Sequence, residues 1–556
     1  MDSHTLTLYG LGAAALTAAL AKARSRLELS RAKHRSLTGH VRLSRRIASF
    51  IRYYEFAESE FFAADGAPDD VCARRQAGFE ALASDYQRRF GKSAELKSEM
   101  KNVISDLQFT DAYRVPFPFS RLVRERLGSS PLIIRTEGVT ISDVDGNAYY
   151  DVAGSYGVNT FGYEFYKDCI ERGGETVREL GPVLGAYHPA VAYNVRRIRE
   201  ISGHDEVSFH MSGTEAVMQA VRLARYHTGR RRIVRFSGAY HGWWGDVQPG
   251  IGNPLHPRQT LTLAEMSKAT LRVLRRRRDI ACVLVNPCQA MHPNAGPPGD
   301  SALVDSSRAA SFDRSAYTNW LRELREVCTE KGIVLILDEI FVGFRLAPGG
   351  AQEYFGIKAD MVTYGKTLGG GLPVGVLTGR HDLMKRYSDA RPADICFARG
   401  TFNAHPYVMG AMHEFLRRLE RPEVQALYER LDETWNARAE ALNHRLAERE
   451  LPVRVANMST IWTVIYTVPS RYNWMFQYYL RKHGLFLSWI GTGRLIFSLN
   501  YTEAQFEEVA RRFAAAAAEM KTDGWWWHDP EAPSAKTPIR RRMLREMIER
   551  GYLGKR

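Results

Sequence analysis

Cysteine is scarce in this chain. Six occur among 556 residues, at 72, 169, 282, 288, 328 and 396, and no two form a CxxC pair. That excludes a disulfide framework and a structural zinc site, and no metal is expected. It reads as a reducing, cytoplasmic compartment. Cys288 lies in an apolar strand-like run and is expected in the core. Long apolar runs are missing too. The uncharged stretch Leu6 to Ala21 has sixteen residues, short for a membrane-spanning helix and diluted by Gly10, Gly12 and Thr17. Its basic residues follow the stretch instead of preceding it, the reverse of a signal peptide. Acid is the third shortage. Lys plus Arg is 77 against 62 Asp plus Glu, a formal charge of +15. From Lys22 to Arg52 ten Lys/Arg accompany one acid, Glu28. Such a segment is a solvated helical face or a surface for anionic partners. Behind an apolar start it also fits peripheral contact with a membrane. Hydrophobic residues at 45% and charged residues at 25% exclude a chain disordered throughout.

What is present divides along the sequence. Residues 1–110 read as a helical N-terminal extension. Ile47, Phe50, Ile51 and Tyr54 fall at helical spacing, as do Phe79, Leu82, Tyr86 and Phe90. Ala64 to Pro68 marks a break between helices. Residues 111–150 read as the first part of a small domain, with an Asp145-Gly146 hairpin turn between Val144 and Tyr149. Over 151–410 strands alternate with helices, which implies a large α/β domain on a mostly parallel sheet. Val334–Leu337 is apolar throughout, as a strand covered on both faces requires. Residues 411–524 read as a smaller α+β domain. Residues 525–556 read as a basic tail, with Pro533 to Pro538 ahead of a basic helix at 540–550. No internal repeat is visible.

The chemistry concentrates in the α/β region. In Tyr364-Gly-Lys-Thr-Leu-Gly-Gly-Gly-Leu-Pro, Lys366 follows a short apolar strand and precedes three glycines. That brings backbone close to something. Upstream, the strand Ile333–Leu337 ends in Asp338-Glu339, where α/β sheets bind ligands. Earlier, Ser212-Gly213-Thr214 joins a strand to a helix. Free N–H groups and the helix dipole there make a phosphate site, or a simple N-cap. Tyr240 and His241 lie in a glycine-flanked turn after another strand. A phosphate anchor, an aromatic platform, a strand-end carboxylate and a lysine are together what pyridoxal 5'-phosphate needs.

These residues carry a resemblance. Over about residues 115 to 520 the chain resembles class III pyridoxal-phosphate aminotransferases of fold type I, in the glutamate-1-semialdehyde 2,1-aminomutase branch. The motifs are Val144-Asp-Gly-Asn, Ser155-Tyr-Gly, Ser212-Gly-Thr-Glu-Ala, Tyr240-His-Gly, Asp338-Glu, Gly343-Phe-Arg, Gly350-Ala-Gln, Gly365-Lys and Gly400-Thr-Phe. The resemblance implies that Lys366 forms the Schiff base and moves the proton. It implies that Asp338 holds the pyridine nitrogen, Gly213 and Thr214 bind phosphate, and Tyr240 stacks on the ring. Thr401 would reach the phosphate of a neighbouring subunit's cofactor, so a homodimer is implied. Pro348 to Lys366, Gly157 to Gly162 and Gly400 to Pro406 also look like aminotransferase domains of polyketide and peptide synthase assembly lines. Those aminate a carbonyl held on an acidic acyl carrier protein, which a basic face would suit.

The chain departs from the family at two points. Asn286 stands where a glutamate is usual, and Cys288-Gln-Ala-Met replaces the aminomutase Ala-Gly-Asn-Met. Phe341 is apolar at a position that often faces the cofactor. Three further residues have open roles. Arg345 binds a substrate anion or forms a structural ion pair. His241 meets the substrate side of the ring or completes its turn. Tyr156 lies over the cofactor from the entrance. Arg275–Arg278 has no nucleic-acid fold around it, and no nucleic-acid partner is expected. Three functional readings result. The favoured one is an aminotransferase acting through Lys366 on a small, carrier-bound or lipid-like carbonyl. The second is a glutamate-1-semialdehyde aminomutase, which needs no external donor. The third is a scaffold without catalysis.

Overall fold

A computed structural model describes residues 3–35, 39–113, 115–128, 131–248, 252–255, 257–294, 312–487, 493–529 and 536–552. The chain starts with the helix Ser3–Arg31 and the shorter helix Val41–Phe50. Strands β1 (Ile133–Glu137), β2 (Thr140–Asp143) and β3 (Ala148–Asp151) follow. The α/β region supplies β4 (Glu206–His210), β5 (Arg232–Phe236), β6 (Thr260–Leu263) and β7 (Ile280–Val285). It continues with β8 (Val334–Asp338), β9 (Met361–Gly365) and β10 (Gly375–Gly379). The last lobe contains β11 (Val453–Met458), β12 (Ile461–Tyr466), β13 (Leu485–Phe486) and β14 (Arg494–Ile496).

Strands β4 to β10 form one sheet in the order β4-β10-β9-β8-β7-β5-β6. All its pairings are parallel except those of β10, which is antiparallel to both neighbours. Strand β8 is buried at every position. Alternate residues serve opposite faces. Val283, Val285, Leu335 and Leu337 join the core that includes Leu271, Leu274, Leu321 and Leu324. Cys282, Leu284 and Ile336 join the helix residues Val217, Ala220, Val221 and Ala224 on the other side. The apolar run is thus two period-two patterns superposed.

Two smaller sheets complete the core. One is β11-β12-β14, antiparallel, and the other is β1-β2-β3-β13. The second shows why 111–150 and the C-terminal lobe belong together: β13 pairs parallel with β3 across more than 300 residues of chain. Trp435, Trp462, Phe497 and Phe506 pack with ring centroids 5.1 to 6.1 Å apart. They join the helices Leu431–Glu448 and Glu503–Thr522 to the sheet.

The N-terminal extension divides into two parts. Its second part is built into the C-terminal lobe. The Phe61 ring lies 5.3 Å from Phe79, 6.2 Å from Trp474 and 6.4 Å from Trp525. Arg75 is fully buried, and its guanidinium donates to both carboxylate oxygens of Asp65 at 2.8 and 2.7 Å. It also donates to the Gly524 carbonyl at 2.9 Å and lies 4.4 Å from the Tyr472 ring. The break expected at Ala64–Pro68 separates the helices Glu58–Phe62 and Asp69–Arg89. The first part touches the body more sparingly, through the Ala32 carbonyl, which accepts from Ala264 N–H at 2.7 Å, and through Glu28 with Arg276 and Arg45 with the Pro254 carbonyl.

The basic tail is docked. Trp525 and Trp526 are buried. In the helix Lys536–Tyr552, Glu546 accepts two hydrogen bonds from Arg471, at 2.7 and 2.9 Å. Pro530 and Pro533 lie outside the described residues, and Pro538, expected ahead of the basic helix, falls inside it. Among the described residues no helix is long and apolar enough to cross a membrane.

Candidate active site

Strands β8 and β9 lie side by side and end together. Asp338 is the last residue of β8, and Lys366 is the first residue after β9. Lys366 is a non-glycine residue at φ +45°, in the left-handed region that most side chains avoid. The turn Lys366–Gly369 that starts there swings its amine into a cavity of about 520 Å³. Thr214, Tyr240, Asp338, Phe341, Lys366 and Arg494 line this cavity. Burial lowers the Lys366 pKa from its ordinary value, and the nearby Asp338 charge opposes that shift. Desolvation favours the neutral amine, the form that can attack a carbonyl.

Asp338 is anchored from behind. Its Oδ2 accepts a hydrogen bond from His241 Nδ1 at 2.7 Å, and both side chains are buried. The His241 ring does not reach the substrate side, as one reading of the turn had it. The Asp338 carboxylate draws it inward, 1% exposed and away from the cavity lining. Its Nε2 is buried without a hydrogen-bond partner among the described residues. Glu339 has a separate task. Its carboxylate accepts from the N–H groups of Ala351 and Gln352 at 2.6 and 2.9 Å. Burial raises its pKa to about 8. Successive residues of an extended chain point to opposite sides, so only the first of this acid pair serves the cavity.

The opposite end of the cavity is a helix N-terminus. Ser212 caps the helix Gly213–Thr228, accepting from Glu215 N–H at 3.3 Å. Gly213 and Thr214 line the cavity, and N–H groups in a first turn have no partner within the helix. Glycine is required by space. A Cβ on Gly213 would come within 2.6 Å of Ile340 Cδ1. One on Gly242, at φ +93°, would come within 2.6 Å of Thr214 Oγ1. The cradle is therefore small, rich in donors and positive in dipole, and it fits a phosphate.

The walls explain the family departures. Asn286 donates from Nδ2 to the Tyr240 carbonyl at 2.9 Å, and its Oδ1 accepts from Cys288 N–H at 3.1 Å. It holds the Tyr240 loop and caps the turn Pro287–Met291. Cys288 is buried, but it sits in this turn at the cavity wall rather than within a strand. Phe341 faces the cavity as expected. Its ring centroid lies 5.4 Å from Lys366 Nζ and 5.8 Å from the Arg494 guanidinium. Tyr240 lines the cavity while 58% exposed.

Besides His241, three candidates fall outside the lining. Arg345 is a brace, not a substrate or ion-pair residue. It is fully buried and donates to Thr460 Oγ1 at 3.0 Å and Phe497 O at 2.6 Å. It also donates to Asn159 O and Thr160 Oγ1, both at 3.1 Å. Five acceptors, counting Gly157 O at 3.4 Å, bind it between the lobes. Tyr156 is 41% exposed at φ +57°. Thr401 is exposed on this chain.

One charged lining residue was missed. Arg494 opens β14, and its Nε is buried without a partner among the described residues. A lone cation at the head of the apolar run Leu495–Phe497 was the available signal. It places positive charge opposite Phe341, in the same cavity as Lys366.

Amine, carboxylate and phosphate cradle thus surround one cavity at the carboxyl ends of β8 and β9, and the residues fit pyridoxal 5'-phosphate. The fold and site define a pyridoxal-phosphate-dependent enzyme of fold type I. The profile described as aminotransferase class-III matches residues 127–517, and the chain belongs to that family. It is 30% identical over 396 residues to a glutamate-1-semialdehyde 2,1-aminomutase of Methanocaldococcus jannaschii, covering 68% of this chain and 84% of that protein. A solved transaminase with PLP bound is 25% identical with a TM-score of 0.62, over 78% of this chain and 99% of that one. The β-phenylalanine aminotransferase of Variovorax paradoxus is also 25% identical with a TM-score of 0.62, over 80% and 97%.

Proposed function

We propose that the protein moves an amino group within a small amino aldehyde that carries a carboxylate, as a glutamate-1-semialdehyde aminomutase does. The observation that carries this reading is Arg494. Its guanidinium shares the cavity with Lys366, and its Nε is buried without a partner among the described residues. A substrate carboxylate would satisfy that donor. The likeness to the methanogen aminomutase, over 84% of that protein, supports the same chemistry.

In this reading each residue has one role. Gly213 and Thr214 would hold the phosphate. Asp338, fixed by His241, would pair with the pyridine nitrogen. Tyr240 would cover the ring. Pyridoxal phosphate, when bound, supplies the electron sink that makes the carbon next to nitrogen acidic. Lys366 would hold the cofactor's aldehyde end through its amine, and the same amine is placed to move a proton at the substrate carbon next to nitrogen. Arg494 anchors the far end of the substrate, and Phe341 keeps water from the amine. Thr401 is assigned to the phosphate site of a second copy in a homodimer.

A second reading transfers nitrogen from an external donor to a larger carbonyl, carrier-bound or lipid-like. The neutral Asn286 and the apolar Phe341 favour it. The deciding experiment offers the cofactor-loaded enzyme glutamate-1-semialdehyde without a donor. Formation of 5-aminolevulinate supports the first reading. Turnover only with a donor and a larger carbonyl supports the second.

A further inference from the structure

The helix Val41–Phe50 is built inside out. Val41, Ser44, Arg45 and Ala48 turn toward the body of the protein, and Ser44 is buried. Arg45 fastens this face, donating to the Pro254 carbonyl at 2.9 Å. The opposite face carries Leu43, Ile47 and Phe50, which are 50%, 39% and 53% exposed. Their spacing of four and three is one helical stripe. An ordinary surface helix buries such a stripe and shows its charges to water. Here the small and polar face is inward and the apolar face is outward. Ile51 and Tyr53, 42% and 62% exposed, extend the apolar surface past the helix end.

Cations border this stripe. Arg46 and Arg52 are exposed beside Ile47 and Ile51. The preceding helix Ser3–Arg31 repeats the combination, with Leu16 and Leu20 each 62% exposed ahead of the exposed Lys22, Arg24 and Arg26. Glu28, the one acid between Lys22 and Arg52, is engaged by Arg276 and Arg24. The segment thus offers exposed apolar side chains at helical spacing among charges of one sign. Neither helix is long and apolar enough to cross a membrane.

We propose that Val41–Phe50, with the flanking Arg46 and Arg52, is a docking surface for an anionic lipid bilayer. Leu43, Ile47 and Phe50 enter the boundary between headgroups and acyl chains, and the arginines meet the lipid phosphates. The charge complementarity selects an anionic surface. The ridge-like exposure of three large apolar side chains fits a bilayer better than the polar surface of an acidic protein.

The test is flotation of the full-length, cofactor-loaded enzyme with vesicles of phosphatidylcholine, with and without phosphatidylserine. Strong enrichment on the anionic vesicles at low salt is expected, lost at high salt. Arg46→Glu should lower partitioning about fivefold or more, and Ile47→Asp/Phe50→Asp should abolish it. Both variants should keep wild-type turnover, because neither position lies in the cavity, and intact turnover shows that they fold. Equal recovery with neutral vesicles, no recovery with either, or wild-type recovery of Ile47→Asp/Phe50→Asp would overturn the proposal. So would loss of a larger oligomer in Ile47→Asp/Phe50→Asp without loss of vesicle binding, because the stripe would then be a contact between copies.

Discussion

His241 Nδ1 lies 2.7 Å from Asp338 Oδ2, with both side chains buried behind the cavity that holds Lys366. A buried carboxylate is stable as an anion only with a partner. His241 supplies that partner and fixes the carboxylate's direction. Asp338→Asn should cut kcat/KM by at least ~10³-fold, because the charge opposite the pyridine nitrogen is lost. His241→Phe should cost less, about 10- to 100-fold, chiefly in kcat. The readout that separates positioning from folding is the pH dependence of the bound cofactor's absorbance. It should move in both variants while melting stays cooperative.

Arg494 should decide which substrates are accepted. A charge-assisted hydrogen bond contributes about 1.5–3 kcal/mol, a factor of roughly 10 to 100. Arg494→Ala should raise KM for carboxylate-bearing substrates by that factor. Uncharged aldehydes should be affected little. Steady-state kinetics with a charged and a neutral substrate of equal length measure the difference directly.

Arg75, held in a buried pair with Asp65, ties residues 58–89 to the C-terminal lobe through the Gly524 carbonyl. Removing one member leaves the other charge stranded. Arg75→Ala and Asp65→Ala should each destabilise by about 3–5 kcal/mol, as broken buried pairs do. The replacement of both by apolar residues should recover much of that loss. Denaturant unfolding of the single and double variants provides the comparison.

Glu265 is fully enclosed and accepts from Tyr317 Oη at 2.6 Å. Burial raises its pKa from 4.5 to about 8. The folded chain therefore binds a proton that the unfolded chain releases from about pH 4.5 upward. Stability from this group is present in full below the unfolded value and is lost as pH rises toward 8. Glu265→Gln keeps the acceptor and removes the titration. Relative to wild type it should gain stability steadily from pH 5 to pH 8, by at most about 1.4 kcal/mol for each pH unit climbed. Thermal melts across that range check the sign.

Much of this site was legible because backbone geometry writes it locally. Lys366 among glycines, Asp338 at a strand end and Ser212-Gly213-Thr214 before a helix each show in a few adjacent residues. Residues whose roles depend on distant partners did not show. Arg345 reads like an anion ligand until its five acceptors, from Gly157 to Phe497, are assembled around it. Arg494 reads as an ordinary strand start until β14 is placed beside the cavity. His241 reads as a ring contact until Asp338 claims its Nδ1. The periodicity of Phe79, Leu82 and Tyr86 announced a helix, but nothing in it named Trp474 and Trp525 as the surface that buries it.

The central claim is that nitrogen moves within one substrate molecule. Its most direct measurement supplies glutamate-1-semialdehyde together with an amino donor carrying heavy nitrogen, and reads the isotope in the product by mass spectrometry. The account predicts 5-aminolevulinate with little label, at a rate indifferent to donor concentration and lost by at least ~10⁴-fold in Lys366→Ala. Stoichiometric label in the product, or no product from the fully loaded enzyme, would contradict it.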